Sequence, residues 1–572
     1  MKLTSKSIDY TVNTVDELLS LSGEENQTVV VTDENRGGTF VYRSANATIN
    51  NTGTIFSGWS RVYDGAVNVK WFGNDIQSAI NSGDSELLIS DDCSFSDLVL
   101  ASNQRLIGKT GVKITGNSIT LSSYSGISNL SIDFSNSVGI NSLFTTGTIK
   151  SCIVAENTKN SSIENCTILN IPTTTSGISI YNGNRCNISG NTMIGGYRAI
   201  IISYASIECF IVKNKISNTS DNAILIHTST GNKSGGHIVE SNNLSNIGNH
   251  GIMMWSMDGD ATVQVRDVYN CKIIGNTIDT TINGAGIWCS VCKDIFVSLN
   301  TLKYIYMEGI DFEGSLDCIA SNNILYNSST GFGALTAFFG SKRCNYIANT
   351  IVFDGDFPLL GGGHHPKASS IAIYFRDDCE DMHILGNSIS AINSNGKISE
   401  INTYHGNTTN HSSTATQRLY IANNILENVN TNLLDTTDYC EFKYNKISMT
   451  ILFYNVIKSV NSISTIVINN EIRLIGVSST TTTAADAMIF FLCNRKPQTV
   501  VKTIANNNTI TDTVMGITFS TWFSGVSNNG NFVAKDNLCD QIDYSKSVAS
   551  ADMLTSSNYK YSDYTATTLT GV

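Results

Sequence analysis

Residues 286–326 read GIWCSVCKDIFVSLNTLKYIYMEGIDFEGSLDCIASNNILY and contain two turns of one repeat. Each turn opens on an alternating run, first Gly286-Ile287-Trp288-Cys289-Ser290 and then Gly309-Ile310-Asp311-Phe312-Glu313. Each then passes a Cys (Cys292, Cys318) and closes on an Asn two residues before an aliphatic side chain (Asn300, Asn322). Apolar residues at every second position describe a strand with one buried face.

The pattern extends in both directions. Asn-x-(Ile/Leu/Met) occurs at Asn191, Asn214, Asn242, Asn276, Asn300, Asn322, Asn349, Asn387, Asn423, Asn445, Asn470 and Asn508. The spacing runs from 22 residues (Asn300 to Asn322) to 38 (Asn349 to Asn387), a floor with a variable excess. That is the signature of a fixed coil carrying loops of different length. Eight of these Asn have a Cys four to eight residues upstream: Cys186, Cys209, Cys271, Cys292, Cys318, Cys344, Cys379 and Cys440. Stacked coils explain both series. Equivalent residues then lie roughly 4.8 Å apart, thiols packing inside and turn Asn taking the left-handed conformation. Further alternating runs stand at 251–255 (GIMMW) and 370–374 (SIAIY).

Leucine-rich repeats would show a denser Leu skeleton, and propellers a longer, more regular period. The expected fold is all-β: a right-handed single-stranded parallel β-helix with a small N-terminal β-rich cap and a short helix plugging the first coil. Residues 1–70 are the cap or attachment region, with turns at 35–38 (NRGG) and 51–53 (NTG). Residues 75–82 (DIQSAINS) are the helix, with Ile76, Ala79 and Ile80 on one face. The coils occupy 71–540, and 541–572 form a short polar tail that could contact a trimer partner.

Composition agrees. Charged residues are 15% and Pro only 4 in 572 residues, against 45 Gly, which favours stacked strands and tight turns over helices and linkers. A net charge of −12 argues against nucleic acid as a partner. No run approaches a membrane span, and the start has no apolar signal region. The 14 Cys are dispersed and read as buried thiols; the single Cys289/Cys292 pair and His364-His365 are poor metal evidence. No metal and no cofactor are expected.

The stretch 56–73 (FSGWSRVYDGAVNVKWFG), followed by the helix and first coils, resembles the entry into the β-helix of bacteriophage tailspike depolymerases, a pectate-lyase-like family. The resemblance is specific over roughly residues 20–110 and rests on the repeat beyond. It implies a homotrimer on a phage tail, part of the virion and made in the host cytoplasm, degrading capsular polysaccharide or O-antigen. Such spikes usually carry a large virion-anchoring domain. Little precedes residue 20 here, so a short N-terminal peptide docking on another tail protein is expected, unless the anchor is missing from this chain.

Aligning the coils on their strand starts builds one outer wall. Its first column is Ser179, Ile201, Leu225, Met253, Trp288, Asp311, Thr336, Ala372. Its second is Tyr181, Ser203, His227, Trp255, Ser290, Glu313, Phe338, Tyr374. Aromatic residues flank two acids, the pairing that sugar chemistry needs. Asp311 and Glu313 are two apart on one strand, so their Cβ atoms are roughly 6.5–7 Å apart. The carboxyls can span either the retaining separation of about 5–5.5 Å or the inverting one of about 6.5–9.5 Å. The expected catalytic residues are Glu313 as general acid, Asp311 as base and Glu308 as reserve acid. Trp255, Trp288, Tyr374, His227 and Arg376 are the expected substrate contacts. Long insertions at 257–266, 357–369 and 405–417 would wall the site.

Structural explanations compete at each position. An acid pair on a strand is usually solvated surface, and exposed aromatics can face another subunit. His227 fits a surface or subsite role better than a catalytic one, and Asp377-Asp378 read as turn residues. Endo-glycosidic hydrolysis is the leading activity. A polysaccharide lyase using Arg376, His227 or Tyr374, a non-cutting adhesin, and a structural surface β-helix are the alternatives.

Overall fold

The computed structural model describes residues 10–570 apart from 145–146, 257–264, 329–331, 356–368, 377, 393–397, 405–416, 435–438, 451–455, 461–463, 476–488, 494–501, 512–516, 522–530, 536, 538–540, 544–552 and 557–567. The chain divides into two compact units, residues 1–227 with 234–243 (unit 1) and 228–233 with 244–572 (unit 2).

Unit 1 begins with a five-stranded sheet in the order Tyr10–Val12, Thr28–Val31, Gly38–Tyr42, Trp59–Arg61, Ile55–Phe56. Its core is Leu18, Val29, Phe40, Phe56 and Trp59. Leu18 lies on a helix, Val15–Ser20, that the sequence reading passed over. The signal was present: Thr14 caps Glu17 N–H at 3.1 Å, with acids in the first turn. The expected helix is Ile76–Asn81, capped by Asp75, with Ile76, Ala79 and Ile80 buried against the first coil.

From there each coil supplies one strand to each of three parallel sheets. In unit 2, Phe296–Ser298 enters the first sheet, Thr301–Lys303 the second and Ile310–Glu313 the third; the next coil repeats this with Ile319–Ser321, Ile324–Tyr326 and Leu335–Phe338. This is a parallel β-helix, and its connections follow the right-handed rule for parallel crossovers. Inward positions form apolar columns. In unit 1 the second sheet stacks Ile114, Ile132, Ile168, Met193 and Ile216. In unit 2 it stacks Ile278, Leu302, Leu325, Ile351 and Ile389. All are buried, each stabilising by roughly 1.5–3 kcal/mol. Pairing continues past residue 540, where the sequence repeat fades: Ile517 pairs with Ile542, Phe532 with Met553 and Ile542 with Leu569.

The Asn series is a buried hydrogen-bonded ladder at the corner between the first and second sheets. Asn323 shows the unit: its Oδ1 accepts from Asn300 N–H (2.9 Å) and Asn300 Nδ2 (3.0 Å), and its Nδ2 donates to Val297 O (3.0 Å) and Asn349 Oδ1 (2.9 Å). The same bonding links Asn191, Asn214 and Asn242 in unit 1, and Asn276 through Asn537 in unit 2. Two positions in the sequence series are off by one. The ladder residues are Asn323 and Asn424, not Asn322 and Asn423. The left-handed conformation also falls one residue earlier than expected: Asn322, Asn423, Leu299 and Ala348 precede ladder Asn residues and have φ of 55°, 60°, 59° and 53°.

The Cys series resolves into two columns. In unit 2, Cys318 and Cys344 stack directly, while Cys292 and Cys379 belong to a neighbouring column through Ser315 and Ser341. These four are buried free thiols. Among the described residues no group of three His, Cys, Asp or Glu is placed to hold a metal ion, and no helix is long and apolar enough to cross a membrane.

Candidate active site

The site lies in unit 2, on the outward side of the third sheet. Alternation turns Ile310 and Phe312 inward and Asp311 and Glu313 outward. The first column pairs Met253, Trp288, Asp311 and Thr336 in successive coils, and the second pairs Trp255, Ser290, Glu313 and Phe338. The column continues differently from the sequence alignment, because Thr336 pairs with Tyr374, not Ala372. That coil carries the long insertion, so its strand, Ser369–Arg376, starts early. An offset of two keeps each side chain on its face and moves it one rung position.

The carboxyls are covered rather than solvated. Asp311 is 2% exposed and Glu308 7%, while Glu313 is half-buried. Thr336 Oγ1 donates to Asp311 Oδ1 at 2.6 Å, and Trp288 Nε1 donates to Glu313 Oε2 at 2.7 Å. Two rings pack against Trp288: His250 stacks on it (centroids 4.9 Å, 22°) and Trp255 tilts against it at 6.4 Å. His250 Nδ1 accepts Ala285 N–H at 3.0 Å, so the neutral imidazole keeps its proton on Nε2. The sequence reading missed His250, which precedes the strand and has no place in the alternating columns.

All three acids are pushed toward the protonated form. Burial lifts Glu308 to about 7, with Glu313 adding to the effect. Burial, then the charges of Glu308 and Glu313, raise Asp311 well above the carboxylate range against the hydrogen bonds from Thr336 and Trp288. Burial also raises Glu313, and the indole N–H opposes it. Glu313, half-buried and held by the indole N–H, is the best placed of the three to ionise, and Asp311, deeply buried, the group best held neutral.

Five of the eight expected site residues meet here: Trp255, Trp288, Glu308, Asp311 and Glu313. Tyr374 is on the same sheet but only 1% exposed, packed edge-on against Phe338 at 5.5 Å, so it offers no open ring face. His227 belongs to unit 1 and is buried, not a surface or subsite residue. The cause is a hairpin, Ile140–Phe144 against Gly147–Ser151, that folds over the outer face there; Phe144 stacks on His227 at 4.8 Å and Ser142 bonds Ser179 at 3.0 Å. The Arg376 side chain, Asp377 and most of the insertions, with Gly361–Gly363 and His364-His365, lie outside the described residues. Asp378 has φ 60°, as a turn residue does.

No protein-family model and no curated protein sequence matches the chain. Solved structures do, and many of them are bacteriophage tailspikes. One is the enzymatically active domain of tailspike protein 2 of bacteriophage CBA120, at 14% identity and TM-score 0.44, over 71% of this chain and 64% of that one. The A-module of the Azotobacter vinelandii mannuronan C-5 epimerase AlgE6 matches at 14% identity and TM-score 0.47, over 62% of this chain and 98% of that one. The catalytic unit of an α-1,3-glucanase from Streptomyces thermodiastaticus matches at 11% identity and TM-score 0.47, over 66% and 72%.

Proposed function

We propose that this chain is a phage tailspike that binds a bacterial surface polysaccharide, capsule or O-antigen, and hydrolyses it within the chain. The supporting observation is the covered carboxyl cluster Glu308–Asp311–Glu313 beside Trp288. Burial and mutual repulsion bias the cluster toward holding a proton, which supplies the acid beside an ionised partner that glycoside hydrolysis needs at neutral pH. Partial exposure and the indole N–H favour Glu313 as the carboxylate, and deep burial favours Asp311 and Glu308 as the proton-holding pair. That reverses the roles expected from the sequence. Trp288 and Trp255, both half-buried, offer ring area to pyranose C–H faces.

A lyase mechanism finds less support. His227 and Tyr374 are closed off, and the His250 Nδ1 lone pair is taken up by Ala285 N–H. A homotrimer, assembly on the tail through the N-terminal region and a place in the virion belong to the same proposal.

The test is product analysis. The full chain is incubated with a panel of purified capsule and O-antigen polysaccharides. New reducing ends without the ultraviolet absorbance of an unsaturated uronide are expected, and Asp311→Asn should abolish them. Unsaturated products would replace hydrolysis by elimination. Binding without any cleavage across the panel would leave an adhesin.

A further inference from the structure

The outer face of the third sheet in unit 1 carries a groove of about 410 Å³ that the proposed chemistry does not use. Its polar walls include Thr120, Ser122, Ser123, Asn141, Glu156 and Asn157, and among the described residues no Lys or Arg lines it. The covering hairpin forms one rim. Leu143 N–H donates to Glu156 Oε1 at 2.6 Å, while Oε2 has no hydrogen-bond partner among the described residues. On the next coil Glu156 pairs with Tyr181, whose ring stacks on Tyr204 (centroids 4.7 Å, 16°). Both rings are half-buried.

We propose that this groove and the adjoining tyrosine pair form a second, non-catalytic holding site for a neutral stretch of saccharide. Phosphate or a polyanion would need cations or converging N–H groups, and the walls supply a carboxylate instead. An apolar peptide would need an apolar lining. Hydroxyl and amide side chains suit sugar hydroxyls. The Glu156 carboxylate is a charge-assisted acceptor for them, and a tyrosine face suits ring C–H groups. A second foothold on one polymer raises retention between cuts by effective concentration, without any new chemistry. The inference rests on the reading that the chain takes a polysaccharide.

The experiment uses the full chain carrying Glu313→Gln, so that the glycan survives. The probe is the neutral member of the polysaccharide panel that this protein binds, cut to oligosaccharides and titrated calorimetrically. Two sites per chain are expected. Asn141→Trp, at an exposed position that fills the groove without disturbing the core, should remove one site and leave the other within twofold in Kd. Trp288→Ala should weaken the other site. Tyr181→Ala with Tyr204→Ala should repeat the Asn141→Trp result, with a thermal melt confirming the fold. A single site that Trp288→Ala abolishes and Asn141→Trp leaves intact overturns this proposal and spares the hydrolase reading. No binding by any member of the panel overturns both.

Discussion

Two buried polar groups of unit 2 behave in opposite ways. At the corner between the first and second sheets, Asn276 through Asn537 stack in a column whose interior members have every amide donor and acceptor paired. On the outer face of the third sheet, Glu308, Asp311 and Glu313 are also withdrawn from water, yet the three carboxyls share only the Thr336 hydroxyl and the Trp288 indole as side-chain donors among the described residues. The amides are neutral, so complete pairing makes their burial stabilising and specific for register. The acids repel one another and lose hydration, so their burial costs stability and shifts their protonation. A fold keeps the second arrangement where reactivity needs it.

The sharpest way to break this contrast is to remove one member of each kind. Glu313→Gln should lower the hydrolysis rate by roughly 10³-fold or more, with the melting temperature unchanged or higher, as initial rates and a thermal melt would read. A normal rate would take Glu313 out of the chemistry. Asn323→Ala should do the reverse, costing about 3 kcal/mol in denaturant unfolding because it strands Asn300 N–H and Val297 O and takes one partner each from Asn300 Nδ2 and Asn349 Oδ1. Its neighbour Asn322→Gly should cost under about 0.5 kcal/mol, since that residue serves the left-handed turn. Equal losses at both positions would contradict the ladder.

The acids predict a pH dependence of definite sign. The folded state holds Glu308 near 7, above its ordinary value of 4.5, so the protonated form is favoured by folding. Its contribution is intact below about pH 4.5 and is lost as pH rises toward 7, by up to about 3 kcal/mol. Glu308→Gln should therefore gain stability over the parent at pH 8 and lose that advantage at pH 4. Identical pH–stability curves would show the acid to be solvated.

Trp288 separates packing from polarisation. Trp288→Ala should weaken glycan binding by roughly 1–3 kcal/mol. Trp288→Phe should bind within a few-fold and shift the acidic limb of the pH–rate profile upward, because Glu313 loses the N–H that favours its ionised form. A gain is expected at one turn: Leu299, 61% exposed with φ 59°, should become more stable by about 0.5–1 kcal/mol on change to Gly.

Much of this was legible in the chain. Period-two runs identified Ile310 and Phe312 as inward and Asp311 and Glu313 as outward, because alternation follows from strand geometry alone. The doublets Asn322-Asn323-Ile324-Leu325 and Asn423-Asn424-Ile425-Leu426 fit the repeat in two registers. The core chose between them: Leu325 and Leu426 are buried, while Ile324 and Ile425 are 48% and 59% exposed. Tyr374 and His227 were misplaced for a related reason. Which residue covers an outer face depends on insertions, here an early strand start and the hairpin at 140–151, and an insertion has no fixed place in a repeat.

The sequence by itself determined the coil, its apolar interior, the Asn corners and the wall on which the acids stand, since each follows from local periodicity and turn chemistry. Only the tertiary structure decided which outward residues meet water, that His250 and Trp288 pack beside the acids, and that those acids are pushed toward the protonated form. Burial and charge coupling are sums over neighbours from different coils, and neighbours of that kind are set by stacking and by loops of irregular length.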